Sequence, residues 1–252
     1  MKSFVVGDVH GGHRALKQVL DRSGFDKTQD QIIALGDLCD GWPETPQVLE
    51  ALLTIQHRII ILGNHDDWFL NWISHGCRME WTEEIWVTQG GEATLKSYAY
   101  QPPPETHTQL LRSAKIWHKD AANRIFVHGG FNPVLPIERA RRDDCLWDRE
   151  LLHMAVKRHQ RDPAHRLTSY PEIYVGHTPT SLYKSDVPMH VCEVWAMDTG
   201  GGWEGRLSLM NLETKEVFQS DPVADLYPDT EHARIGRAQA RSLRRESFGS
   251  GP

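Results

Sequence analysis

Five times along this chain a short aliphatic run stops at a glycine-flanked cluster of Asp, Asn or His, and that recurrence constrains the fold more than any other feature. Phe4-Val5-Val6 runs into Gly7-Asp8-Val9-His10-Gly11, and Ile32-Ile33-Ala34-Leu35 into Gly36-Asp37-Leu38-Cys39-Asp40-Gly41. Ile59-Ile60-Ile61-Leu62 leads to Gly63-Asn64-His65-Asp66, Ile125-Phe126-Val127 to His128-Gly129-Gly130, and Ile173-Tyr174-Val175 to Gly176-His177-Thr178-Pro179. Aliphatic or β-branched runs bounded by glycine read as short buried strands. Val194-Trp195-Ala196-Met197 reads as another, and Leu207-Ser208-Leu209 with Val217-Phe218 as a closing hairpin. Between the early strands, His13 to Leu20 places Leu16, Val19 and Leu20 on one helical face, and Pro46 to Leu53 does so with Val48, Leu49 and Leu52. Strand alternating with helix predicts βαβ units and a largely parallel sheet at the start. Ligand sites of open α/β sheets lie beyond the carboxyl ends of the strands, where each polar cluster falls.

Each cluster alone has a structural explanation. Asp beside Gly makes turns, and Asn64 can cap a helix that begins at His65. Their collinear recurrence is what gives them chemical meaning. Alternation in an extended segment sends Asp8 and His10 to the same side, where a carboxylate and an imidazole can meet one cation. Carboxylates, an amide oxygen and imidazoles without thiolates suit Mn, Fe, Zn or Mg. A dinuclear site needs one bridging carboxylate, and Asp37 is placed for it between two ligand groups. Two divalent ions roughly 3.5–4 Å apart activate water and offset charge on a phosphoryl group.

Composition narrows the setting. The chain has 252 residues, 39% hydrophobic and 25% charged, as in a soluble globular protein with a sizeable core. No apolar run approaches the ~20 residues needed to span a bilayer. Met-Lys-Ser-Phe-Val-Val leads directly into a strand-like segment without a signal peptide's apolar stretch, so a cytoplasmic protein is expected. Cys39, Cys77, Cys145 and Cys192 lack CxxC spacing, which argues against a disulfide framework or a zinc knuckle. A net charge of −6 argues against an extended nucleic-acid surface while leaving room for a local phosphate pocket. A monomer is expected. Residues 1–220 read as the catalytic domain. Within it, 66–117 read as helices and loops covering one end of the sheet, with Trp68, Trp72, Trp81, Trp86, Tyr98 and Tyr100 packed under that cap. Residues 221–252 read as a polar tail in which Ala233 to Arg245 can form a surface helix before a disordered end.

The motifs GDVHG, GDLCDG, GNHD, HGG and GHTP resemble those of the metallophosphoesterase superfamily. More narrowly, they resemble the calcineurin-like phosphoprotein phosphatase family, to which the bacteriophage lambda phosphatase and bacterial diadenosine tetraphosphatases belong. The resemblance runs in order from Phe4 to Val217. Gly24-Phe25-Asp26, Gln89-Gly90-Gly91, Leu146-Trp147-Asp148-Arg149-Glu150 and Met197-Asp198-Thr199-Gly200 are also similar to family segments. It implies an α/β fold, a four-layer αββα sandwich of two mixed β-sheets flanked by helices. It further implies that Asp8, His10 and Asp37 hold one metal, and that Asp37 bridges to a second completed by Asn64, His128 and His177. His65 matches the general acid, Asp40 the carboxylate that orients it, and Arg149 an arginine that clamps phosphoryl oxygens, with Asn64 also facing substrate.

From this resemblance the leading expectation is a serine/threonine-type protein phosphatase in which a metal-bridging hydroxide attacks phosphorus in line. The alternative is a nucleotide hydrolase acting on dinucleoside polyphosphates or cyclic phosphodiesters, and a catalytically silent scaffold is the third. The resemblance favours two Mn ions, and the same ligands accept Fe or Zn. One departure stands out. Protein phosphatases usually continue the second motif as Asp-Arg-Gly, whereas here Asp40 is followed by Gly41 and Trp42. One phosphate clamp is lost, which weakens the case for a phosphoserine or phosphothreonine substrate. Trp42 either stacks on a base or aryl group of the substrate or fills the core.

Overall fold

Period-two alternation in the strands decides the layering of the chain. The computed structural model describes residues 1–77 and 84–228; Trp81 and the Ala233–Arg245 segment lie outside them, and the described first part of the expected polar tail, residues 221–228, instead packs on the domain through the buried Val223 and Tyr227. Ten short strands are present among the described residues: β1 (Ser3–Val6), β2 (Gln31–Ala34), β3 (His57–Ile60), β4 (Trp117–Lys119), β5 (Ile125–Val127), β6 (Ile173–Val175), β7 (Met189–Val191), β8 (Val194–Ala196), β9 (Ser208–Asn211) and β10 (Val217–Gln219). They form two five-stranded sheets, ordered β10-β9-β1-β2-β3 and β4-β5-β6-β8-β7. In the first, β1, β2 and β3 are parallel and β9 and β10 antiparallel. In the second, β5, β6 and β8 are parallel, with β4 and β7 antiparallel at the edges.

Alternate residues of each strand enter different cores. Phe4, Val6, Ile32 and Ala34 face helices α1 (His13–Ser23) and α2 (Thr45–Leu53), whereas Val5, Ile33 and Leu35 face the second sheet. Ile125, Val127, Ile173 and Val175 pack under α8 (Glu150–His159), and Phe126 and Tyr174 turn to the first sheet. Helix, sheet, sheet and helix are therefore bonded by three separate apolar layers, which is the αββα sandwich that the resemblance implied. Helices α3 (Asn64–Ser74), α4 (Glu84–Thr88), α5 (Gly91–Ser97) and α6 (Glu105–Arg112) extend the first helical layer, burying Phe69, Trp72, Trp86, Leu95, Leu110 and Leu111. Of the aromatics expected under this cap, Trp72 and Trp86 are core and Trp68 and Tyr98 pack against it partly buried, whereas Tyr100 is 52% exposed and does not belong to it. The remaining helices are α7 (Arg142–Trp147) and α9 (Val223–Leu226).

The inner face of the second sheet carries a row of rings. His118, Phe126, Tyr174, Trp195 and His190 sit opposite one another on β4, β5, β6, β8 and β7. Successive centroids are 6.0, 5.0, 6.4 and 4.3 Å apart, with planes within 26° of parallel. Cross-strand aromatic pairs of this kind stabilise a sheet beyond its backbone bonds. No helix among the described residues is long and apolar enough to cross a membrane. All four cysteines are free thiols.

Candidate metal centre

The loops after β1, β2 and β3 meet those after β5 and β6 at one edge of the sandwich, so the five clusters converge across the seam between the sheets. His177 N–H donates to Asp8 Oδ2 at 2.9 Å, which ties the fifth cluster to the first. His128 Nδ1 donates to the carbonyl of Leu35 at 2.8 Å, tying the fourth to the second. A Cβ added to Gly176 would lie 2.2 Å from Asp8 Oδ1, so only glycine admits the approach of these two loops.

Asp37 is the hub. Its Oδ1 accepts the His65 N–H at 3.0 Å and lies 3.3 Å from His128 Nε2, while Oδ2 lies 3.5 Å from His10 Nε2. Ligand atoms of His10, Asp37 and His65 fall within 4.8 Å of one another, and so do those of Asp37, His128 and His177. Two groups suited to cations therefore share one carboxylate. His65 belongs to the first by this measure, in a place where the resemblance put Asp8. The ring nitrogens follow from their partners. A carbonyl only accepts, so His10 Nδ1, 3.1 Å from Cys39 O, carries a proton, and its Nε2 lone pair points toward Asp37. His128 Nδ1 likewise carries a proton for Leu35 O, and its Nε2 lies 3.0 Å from Asn64 Oδ1.

The donor set fits a pair of divalent cations. Asp8 Oδ1 and His177 Nε2 are buried without a hydrogen-bond partner among the described residues, which is costly unless a cation takes them up. Burial, and then the charge of Asp198, push the Asp8 carboxyl well above the usual range. Burial and the neighbouring His128 and Arg149 push His177 down to about 2, leaving a neutral imidazole. Burial works against the charges of Asp37 and His128. Yet His128 and His65 hold Asp37 well below the usual carboxylate range, and Asp37 raises His128 to about 9. Crowded acceptors and imidazoles of this kind are characteristic of functional sites.

His65 and Asp40 form a buried pair, Nδ1 to Oδ2, at 2.7 Å. Arg149, at the start of α8, donates from Nη1 to His177 O at 2.7 Å and to Thr178 Oγ1 at 3.0 Å, which sets its guanidinium beside the cluster. Asn64 opens α3 and aims Oδ1 inward. Of the residues singled out in the sequence, only Trp42 stands outside. Its backbone adjoins His10, but its ring is 2% exposed, stacks on Tyr227 at 5.1 Å and donates Nε1–H to Gly201 O at 2.8 Å. Substrate stacking is thereby corrected to packing, because core groups cover the ring.

Sequence reasoning left other supporting residues without a role. Asp66 binds the second cluster to the third by accepting N–H bonds from Leu38 at 2.8 Å, Cys39 at 3.1 Å and Gly63 at 3.1 Å. Its place at the third position of a helix after glycine was a legible capping signal. Asp198, near Asp8, lies in a segment already noted for family likeness.

The family profile described as calcineurin-like phosphoesterase matches residues 1–198. Among curated relatives, the symmetrical bis(5'-nucleosyl)-tetraphosphatase of Nitrosospira multiformis is 26% identical, with 88% of this chain and 96% of that protein covered. The protein of the same name from Pseudomonas fluorescens is also 26% identical, over 86% and 94% of the two chains. A solved protein serine/threonine phosphatase from Saccharomyces cerevisiae superposes with a TM-score of 0.57 at 12% identity, covering 93% of this chain and 84% of that one, a likeness of fold. With two cation-ready groups sharing Asp37 and a family match across most of its length, the chain belongs to the calcineurin-like phosphoesterases and is a metal-dependent phosphoester hydrolase.

Proposed function

We propose that the substrate is a nucleotide, of the dinucleoside polyphosphate type, rather than a phosphorylated protein. The tetraphosphatase names of the relatives from Nitrosospira multiformis and Pseudomonas fluorescens support this choice over long, nearly full-length matches. The observation that carries it within the chain is Gly41. Its φ of +88° is one that side-chain-bearing residues rarely adopt, so this loop is built for glycine where protein phosphatases have a phosphate-gripping arginine. Trp147 adds support. Its ring is 43% exposed and sits against Trp68 at 5.0 Å and His177 at 5.9 Å, an aromatic surface beside the ligand cluster on which a base can stack.

In this reading Asp8, His10, Asp37, Asn64, His128 and His177 hold two cations, manganese being the proposed pair. Bound there, the ions would activate the attacking water and offset phosphoryl charge. The chain's own groups do the rest. His65 delivers a proton to the leaving oxygen, Asp40 keeps the imidazole aimed, and Arg149 adds positive charge beside the phosphoryl oxygens. The test is a panel of diadenosine tetraphosphate, a phosphothreonine peptide and bis-p-nitrophenyl phosphate with Mn. The dinucleotide is expected to give the highest kcat/KM. A preference for the peptide would return the protein-phosphatase reading, and no metal-dependent turnover on any of them the scaffold reading.

A further inference from the structure

The Gln89-Gly90-Gly91 segment contributes nothing to the ligand set, yet it lies against Asp40. The Asp40 carboxylate is completely buried and is held from three directions. Oδ2 accepts from His65 Nδ1 and from Trp86 Nε1, each at 2.7 Å. Oδ1 accepts from Thr94 Oγ1 at 2.7 Å, and the same hydroxyl accepts the Asp40 N–H at 2.9 Å. Thr94 spends its one proton on the carboxylate, so Thr45 Oγ1, 3.2 Å away, must be the donor of that pair. Trp86 comes from α4 and Thr94 from α5; Gln89-Gly90 joins the two and Gly91 opens α5. A Cβ on Gly91 would fall 2.5 Å from the Trp86 indole, and the carbonyl of Gly90 accepts the Gly41 N–H at 3.1 Å. The double glycine therefore lets the indole seat against the backbone while it pins the loop that carries Asp40.

We infer that Trp86 and Thr94 are positioning residues, a brace from the cap helices that fixes the plane of the Asp40 carboxylate and through it the aim of His65. The inference rests on the general-acid reading of His65 given above. A carboxylate held by one imidazole alone turns about its Cβ–Cγ bond and takes the imidazole with it. Donors on both oxygens stop that rotation, and a buried network satisfied in this way specifies one geometry. Trp86 also packs on Phe69 and Trp72 of α3, the helix that opens with Asn64 and His65, so both partners of the dyad refer to the same support.

The test uses the Mn-loaded full chain and two aryl phosphates of different leaving ability. Trp86→Phe removes the indole donor and leaves a smaller ring, and Thr94→Val removes the hydroxyl, which both donates to Asp40 and accepts its N–H, at nearly unchanged volume. Each is expected to lower kcat on phenyl phosphate about 10- to 100-fold, the scale on which misplaced catalytic groups act. The loss on p-nitrophenyl phosphate, whose leaving group needs little protonation, is expected to be several times smaller. Thr94→Ser, which keeps the hydroxyl, should behave like the parent, and Trp86→Phe should add no further loss in the His65→Asn background. Equal losses on the two substrates, or full additivity with His65→Asn, would overturn the brace. If His65→Asn itself fails to separate the two substrates, the general-acid reading falls first. If Thr94→Val does not fold, Trp86→Phe alone decides.

Discussion

Replacing Gly176 by alanine tests the convergence of the site by steric means. The backbone there has an ordinary negative or extended φ, so alanine brings no torsional strain, and the whole effect must come from its methyl group. That carbon would sit 2.2 Å from Asp8 Oδ1 and 3.4 Å from His128 Nδ1. The Asp8 carboxylate cannot simply swing aside, since its other oxygen is bonded to the His177 N–H. Relieving the overlap requires a shift of about 1 Å, against a tolerance of about 0.2 Å for a metal ligand. A displacement of that size costs about 100-fold in turnover, and overpacking adds about 1–3 kcal/mol of destabilisation. Metal content by elemental analysis, kcat on p-nitrophenyl phosphate and Tm are the measurements. Gly24→Ala is the matched control. Its φ of +61° imposes strain, but nothing lies within 4 Å, so it should lower Tm by a few degrees and leave turnover alone. If Gly176→Ala keeps two ions and parental turnover, Asp8 is not a ligand and the convergence described above has no catalytic meaning.

Three further outcomes follow from the same geometry. Asp37→Asn should retain at most one tightly held ion and lose at least 100-fold in turnover, because the shared carboxylate serves both groups; two retained ions would contradict its bridging place. Trp147→Ala should lower kcat/KM on diadenosine tetraphosphate about tenfold through lost base stacking while sparing p-nitrophenyl phosphate, and equal loss on both would remove the ring from substrate binding. Chelation should lower Tm by about 5–10 °C, given roughly 2.7 kcal/mol for a ligand at a hundred times its Kd and the usual scaling for a chain of this size. An unchanged Tm would mean that Asp8 Oδ1 and His177 Nε2 are accommodated without cations.

The site was legible because ligand chemistry allows few residue types and the approach of loops allows only glycine, so both leave marks in the sequence. The layers were legible where strands are buried on both faces, as in Phe4-Val5-Val6. β4 and β7 were not, since edge strands need no aliphatic run and carry His118, Lys119 and His190 instead. α8 was overlooked although Leu151, Leu152 and Ala155 mark one face of it. Trp42 could not be resolved locally, because what decides it is Tyr227, far along the chain. Asp40 was found as a partner of His65, while Trp86 and Thr94 were hidden by the same distance effect, with only a double glycine as a hint. Gly41 was the one motif position that bore on the choice between nucleotide and phosphoprotein, and it weakened the second without identifying the first.

The row of rings on the second sheet has an optical consequence. Strands β5 and β6 are only three residues long, and a slip of one residue would turn every ring to the opposite face. His128 follows β5 immediately and His177 follows β6 after one glycine, so the same slip would pull the two imidazoles out of step. Trp195 lies flat between His190 and Tyr174, within the range at which neighbouring chromophores couple. The part of the near-ultraviolet circular dichroism that Trp195→Phe removes is therefore a gauge of sheet register, and its loss in another variant would announce a disturbed centre before any turnover is measured.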